Sequence, residues 1–255
     1  MVIPGILLRE DFLKLGLRIP IDWDTEVAPH ACYFGTTGSG KTYATKLLLG
    51  KLSKFGNARL TVCDGKGGGD FDFLKGCERY ASIDVTAVFD CFYNSFLARQ
   101  RGEDESRDIM CLLFDEWNSY LDSLDSKKEA ETQRRKLGSL LRLGRSFHVH
   151  VIVGQQRMDS TYFQGFRENF NMVIGLSNLS KESRDMFFSE FKEQIQPDRE
   201  RGTGYLTING TGFTPVAVPR VRNLEKLHQA IYIGVSRRSF LYTSKQGVDE
   251  KRYLR

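Results

Sequence analysis

Short, nearly uninterrupted apolar runs recur along the chain. Longer stretches separate them, in which apolar residues return every three or four positions. The runs at 31–34, 59–64, 109–114, 148–153 and 172–177 predict strands, and the periodic stretches at 41–55, 84–100, 129–144 and 182–190 predict helices. Strands such as Met110-Cys-Leu-Leu-Phe114 and Val149 to Val153 are apolar on both faces, as in a parallel sheet covered by helices on each side. The alternation predicts an α/β fold with a mostly parallel central sheet flanked by helices. A late pair, 204–209 and 213–220, is split by Asn209-Gly210-Thr-Gly212 and predicts an antiparallel hairpin. Two polar stretches, 99–108 and 122–136, are expected as surface excursions. The tail 223–255, with Leu227, Ile231 and Ile233 and a basic finish, is an extension and not a second domain.

Composition narrows the class only slightly. The chain has 255 residues, which predicts a single motor-sized domain over 1–255 with a core of about 18–222. Apolar residues make up 40% and charged residues 27%, ordinary for a globular protein. The net charge of +5 permits a nucleic-acid partner without demanding one. No apolar run approaches a membrane span, and Val2 to Leu8 is too short for a signal peptide, so a cytoplasmic protein is expected. Five cysteines (Cys32, Cys63, Cys77, Cys91, Cys111) show no metal-ligand spacing and are expected as free thiols. His148 and His150 share a strand face with no third ligand near them, so packing is expected there and not metal binding.

One segment carries most of the chemistry. Gly35-Thr36-Thr37-Gly38-Ser39-Gly40-Lys41-Thr42 follows a strand and opens a helix, with the spacing of a phosphate-binding loop. Its backbone N–H groups can wrap a phosphate, and glycines let the backbone approach. Lys41 can place a charge on the β- and γ-phosphates, the Thr42 hydroxyl can ligate Mg²⁺, and the helix N-terminus favours the anion. Farther on, Cys111-Leu-Leu-Phe-Asp115-Glu116 ends an apolar strand in two carboxylates. Asp115 is a candidate Mg²⁺ ligand and Glu116 a candidate general base for the attacking water. Gln155, Gln156 and Arg157 follow the strand ending at Gly154, with Gln156 the candidate γ-phosphate sensor. Arg142 and Arg145 precede that strand, and arginine can stabilise transferring phosphoryl charge.

Together these residues resemble the FtsK/HerA superfamily of ring-forming DNA pumps. The resemblance rests on Pro29-His30 before the loop, Asp64-Gly-Lys66 after the second strand, and Gly144-Arg-Ser-Phe-His-Val-His150 followed by Val-Ile-Val-Gly-Gln-Gln-Arg157. Phe166-Arg-Glu-Asn-Phe170 and Arg201-Gly-Thr-Gly-Tyr-Leu206 extend it, so that it covers roughly 18–222. It implies a RecA-like P-loop NTPase that uses ATP and Mg²⁺ to move double-stranded DNA as a homo-oligomer, a hexameric ring. In that reading Lys41 and Thr42 bind phosphate and Mg²⁺, Asp115 binds Mg²⁺, Glu116 is the base, Gln156 is the sensor, and Arg145 reaches into the neighbour's site. The family's membrane helices and winged-helix reader have no counterpart here. A bare motor of a plasmid, conjugative element or virus is therefore expected, with a recruitment or membrane-anchored partner. Met158 to Gln164 is the candidate channel loop. A viral genome-packaging ATPase is the near alternative. A nucleotide-gated switch or kinase without DNA is the alternative from another class. The lack of an Asn-Lys-x-Asp motif disfavours a GTPase.

Overall fold

The computed structural model describes residues 1–163 and 165–237. In chain order the elements are β1 (Val2–Arg9), α1 (Glu10–Leu13), β2 (Pro20–Asp24), β3 (Ala31–Phe34), α2 (Lys41–Gly56), β4 (Arg59–Asp64), β5 (Tyr80–Ala81) and α3 (Val85–Gln100). They continue with β6 (Met110–Asp115), α4 (Trp117–Asp122), α5 (Lys127–Leu143), β7 (Val149–Gln155), β8 (Met172–Leu176), α6 (Lys181–Phe187), β9 (Thr203–Ile208), β10 (Thr211–Ala217) and α7 (Leu224–Ser236). All ten strands lie in one sheet of order β2-β1-β10-β9-β8-β3-β7-β6-β4-β5. The run β8-β3-β7-β6-β4-β5 is parallel. The remaining neighbours are antiparallel, so the sheet is mostly parallel with an antiparallel wing.

The strand pattern explains the two layers. Along β6, Cys111 and Leu113 point into one core with Leu48, Leu49 and Leu52 of α2 and Leu227 and Ile231 of α7. Leu112 and Phe114 point into the other, with Phe89, Phe92 and Phe96 of α3, Trp117 of α4 and Leu137, Leu140 and Leu141 of α5. This is the period of two that a strand buried on both faces requires. Helix α7 lies close on α2 because Gly50 leaves room for Leu227. A Cβ at Gly50 would come within 2.3 Å of the Leu227 side chain.

The predicted hairpin is β9–β10, joined through Asn209 and Gly210, both with positive φ. The sequence pattern missed β1 and β2. Pro4 and Gly5 interrupt the first apolar run, and β1 accommodates them by an irregular register between Ile3 and Leu7, with Gly5 at φ +57°. The sheet and α7 therefore reach outside the expected core of 18–222. The stretch 122–136 is also not an excursion over its length: Ser126 accepts a hydrogen bond from Glu129 N at 3.1 Å and starts α5 at Lys127. The excursion 99–108 folds back, so that Asp104 meets both Arg59 and Arg99, and Arg99 donates to Phe147 O at 2.7 Å. The basic finish, from residue 238 onward, lies outside the described residues.

Cys32, Cys63 and Cys111 are buried free thiols on β3, β4 and β6. His150 is buried beside His30, ring centroids 6.4 Å apart. Since a carbonyl only accepts, His150 donates its Nδ1–H to Pro29 O at 2.9 Å, while His30 Nδ1 accepts from Val151 N at 3.1 Å. Both rings are thus neutral. Burial, and for His30 also its neighbour His150, pushes His30 down to about 3. Burial pushes His150 down to about 4. Their contribution to stability is complete above the ordinary histidine value of about 6.5 and is lost as pH falls towards the folded values, because only the unfolded chain takes up those protons. The two together are expected to steepen acid destabilisation by up to about 2.7 kcal/mol per pH unit. Urea midpoints of wild type and His150→Gln between pH 7 and pH 5 check this: the variant should lose stability with about one proton less of slope.

Candidate functional site

The parallel strands bring their C-terminal tips into one row. Phe34 pairs with Gln155, Asp115 with Gly154, and Asp64 with Asp115. The loop 35–40 leaves the tip of β3 between β7 and β8 and enters α2. Gly38 at φ +83° and Gly40 at φ +97° take left-handed conformations that only glycine adopts freely. Gly35 N donates to Gln155 O at 3.2 Å, and Gly202 N, at the entry to β9, donates to Ser39 O at 2.9 Å. The loop is therefore held from both flanks. The first-turn N–H groups of α2 have no carbonyl partner within the helix and face the cavity, which is what an anion needs.

Lys41 is buried at this helix start and donates to Glu116 Oε1, and its Nζ lies 3.6 Å from Asp115 Oδ1. Glu116 follows β6 with φ +57°, held there by its own N–H to Gly154 O at 2.7 Å. For a non-glycine residue that conformation is strained by an amount on the order of 1 kcal/mol, and it turns the carboxylate into the cavity. Its other oxygen, Oε2, accepts from Gln155 Nε2 at 3.2 Å and from Gln156 N at 3.3 Å. Gln156 Oε1 in turn accepts from the Thr37 hydroxyl at 3.2 Å. Both glutamines therefore join the base to the loop: Gln155 by its side chain to Glu116, and Gln156 by its side chain to Thr37. Gln155 is the residue that sequence reasoning passed over, and its signal was the polar position closing an apolar strand.

The electrostatics leave this cluster short of positive charge. Among the described residues, one ammonium, that of Lys41, pairs with two buried carboxylates. Burial drives Asp115 up to about 6 against the opposing pull of Lys41, with Glu116 and Asp64 raising it further. Asp115 Oδ1 is buried without a hydrogen-bond partner, and a Cβ at Gly154 would meet it at 2.3 Å, so only glycine fits behind it. A buried carboxylate oxygen without a hydrogen-bond partner, in a cavity that Thr42 also lines, fits a small divalent cation. The cavity over these groups has a volume of about 400 Å³. Beyond the loop it is lined by Lys46, Asp64, Lys66, Arg201 and His228, among others. Lys46, one turn into α2, and His228 on α7 carry no motif and were not legible in the sequence.

Every loop residue from Thr36 to Thr42 lines this cavity, as do Asp115, Glu116 and Gln156, while Gly35 lies beneath Ser39. Arg145 does not join them. It is exposed on the turn 144–147, ahead of β7, so the seven-residue strand separates it by about 20 Å from the loop of its own chain. Met158 to Phe163 leaves β7 on the face of α4 and α6. Met158 is buried, and Met158 N donates to Ser183 Oγ at 3.1 Å. Gln164 lies outside the described residues.

Comparison with known proteins bears on this geometry. The family model described as the central domain of helicase HerA matches residues 12–75, the segment that holds β3, the loop, α2 and β4. That segment is therefore similar to a HerA/FtsK-type domain. The FtsK domain-containing protein YdcQ of Bacillus subtilis is 25% identical over 215 residues, 78% of this chain and 44% of YdcQ. The conjugation coupling protein TcpA of pCW3, solved with ATPγS, shares the fold with a TM-score of 0.67 at 18% identity, over 85% of this chain and 65% of that one. The cytoplasmic domain of the type VII secretion ATPase EccC of Thermomonospora curvata has a TM-score of 0.66 at 20% identity, over 91% of this chain and 31% of that one. The chain thus spans less than half the length of the curated relative YdcQ. Among the described residues, no helix is long and apolar enough to cross a membrane.

Proposed function

We propose that this chain is an ATPase that drives double-stranded DNA through a ring of identical subunits, a hexamer, in conjugative transfer or other movement of plasmid or chromosomal DNA. The observation that carries the reading is the Lys41–Glu116–Gln155/Gln156–Thr37 connection. A base carboxylate stands at the mouth of a phosphate loop and is wired by hydrogen bonds to residues that face the nucleotide. In the bound state Lys41 leaves Glu116 for the phosphates, and the freed carboxylate orients water for attack. Gln156 and Thr37 register the γ-phosphate, and Gln155 holds the Glu116 carboxylate in place. Asp115 and Thr42 would hold Mg²⁺, which would supply charge neutralisation at the phosphates. Gly202, docked on Ser39 at the entry to the β9–β10 hairpin, links the loop to the antiparallel wing.

Arg145 lies too far from its own loop to act there, which fits a residue supplied to the adjacent subunit. DNA as substrate is supported by the likeness to YdcQ and to a conjugation coupling protein, and by the net charge of +5. A viral packaging motor would perform the same step. A second reading, movement of a protein substrate, is favoured by the likeness to a secretion ATPase.

ATP turnover with and without duplex DNA tests the proposal. Turnover should rise with duplex of any sequence, and the apparent affinity for DNA should fall with salt at a log–log slope of about −0.9 per phosphate neutralised. Turnover indifferent to duplex, or a strong preference for one short sequence, contradicts it.

A further inference from the structure

We propose that Asp64 is a second carboxylate of the cation site, accepting hydrogen bonds from the water shell of the Mg²⁺ that arrives with the nucleotide. The inference rests on the reading that Mg²⁺–ATP binds over Lys41. Asp64 and Asp115 are direct neighbours at the tips of β4 and β6 and line the same cavity. Adjacent strands lie about 4.8 Å apart, so the two carboxylates share one small volume. Each is at least nine-tenths buried, at 2% and 5% exposure, and each keeps one oxygen without a hydrogen-bond partner, Oδ2 of Asp64 and Oδ1 of Asp115.

A carboxylate whose role is only to close a turn does not need to be buried with a free oxygen. Asp64 does close a turn: its Oδ1 accepts from Lys66 N at 3.1 Å and Gly67 N at 2.9 Å. That leaves Oδ2 unemployed in a place where an unpaired acceptor costs about 1–3 kcal/mol. The packing around the pair is tight on the side away from the cavity. A Cβ at Gly65 would meet Glu116 O at 2.5 Å, and Gly154 backs Asp115 as described. Both oxygens are closed to solvent in the nucleotide-free protein, while the two residues line the nucleotide cavity.

Among the described residues, no group of three or more acidic, His or Cys side chains could hold a metal by itself. This suits Mg²⁺, which keeps several waters and is held by one or two carboxylates together with substrate phosphates. Asp115 and the Thr42 hydroxyl would ligate the ion, and Asp64 would orient one of its waters. The Asp-Gly-Lys sequence at 64–66 thereby acquires a function: Asp64 faces the cation while Lys66 reaches the cavity from the same turn.

The test separates this role from turn closure and from the parent reading. Affinity for a fluorescent ADP is measured at a series of Mg²⁺ concentrations and in chelator, and the Mn²⁺ paramagnetic resonance spectrum of the ternary complex is recorded. Asp64→Asn keeps the Oδ1 acceptor of the turn, and Asp64→Ser keeps a shorter one, so at least one folded variant is expected. Either should raise the Mg²⁺ concentration for half-maximal tightening by about 10-fold, within the 10–100-fold typical of groups that orient metal ligands. Affinity in chelator should stay within twofold, and the Mn²⁺ line shape should change. A folded variant with wild-type Mg²⁺ dependence and an unchanged spectrum overturns the Asp64 assignment alone. Wild-type protein that binds no nucleotide, with or without metal, overturns the parent reading instead.

Discussion

Arg145→Ala should bind ATP as the wild type does and hydrolyse it about 10³–10⁵-fold more slowly, the usual worth of an arginine supplied in trans. The structure sharpens this expectation, because the residue stands at the far end of β7 from its own loop and is exposed on the 144–147 turn. It pairs with no acid within 4 Å among the described residues, whereas Arg134 and Arg135 on α5 are held by Glu131. A mixture of Arg145→Ala with Lys41→Ala should regain part of the turnover. The first contributes an intact loop and the second an intact arginine, so some interfaces of a mixed ring are complete. Steady-state hydrolysis across mixing ratios, with subunit exchange followed by fluorescence transfer, is the measurement. Two inactive proteins that exchange subunits and stay inactive would make Arg145 a structural or DNA-contacting residue.

Glu116→Gln should trap ATP. The amide keeps the shape, and its oxygen can still accept from Lys41, but the base is lost, so single-turnover hydrolysis should slow by about 10²–10⁴-fold while ATP binding persists. In the nucleotide-free protein the substitution relieves repulsion between two buried carboxylates that share one ammonium but sets the new amide NH2 against the Gln155 Nε2 and Gln156 N donors, so the net change in stability should be small. Lys41→Ala differs on that point. Among the described residues it strips the sole ammonium contacting Asp115 and Glu116, both of which are buried. Leaving a buried charge unpaired is strongly destabilising. Lys41→Ala is therefore expected to abolish turnover and also to lower the melting temperature. Turnover of Glu116→Gln within a factor of two of wild type would remove Glu116 from the base position.

Much of this was legible in the sequence because it lies in local patterns. The doubly apolar strands read directly as β3, β4, β6, β7 and β8, and the loop and the Asp115-Glu116 pair sit at strand tips as their spacing requires. What stayed hidden depends on distant residues meeting. The first apolar run looks broken at Pro4 and Gly5, and only its pairing with β2 and β10 makes it a strand. The polar run 122–136 overlaps the helix expected at 129–144, and only the Ser126 cap and the burial of Gln133, Leu137, Leu140 and Leu141 set where α5 begins and which side it covers. The choice between Gln155 and Gln156 turned on side-chain direction, which alternates along a strand, and the structure gives each a separate contact. His30 and His150, far apart in sequence, form a neutral buried pair that no spacing rule announces.

Hydrolysis at this site is proposed to move duplex DNA. The most direct measurement places a triplex-forming strand on a duplex and follows its displacement with ATP present. Displacement should occur with ATP, fail with a non-hydrolysable analogue, and vanish in Glu116→Gln while that variant still binds the duplex. Steady ATP turnover that leaves the triplex in place, or turnover stimulated by a peptide and not by duplex, would contradict the account and favour a motor that moves protein.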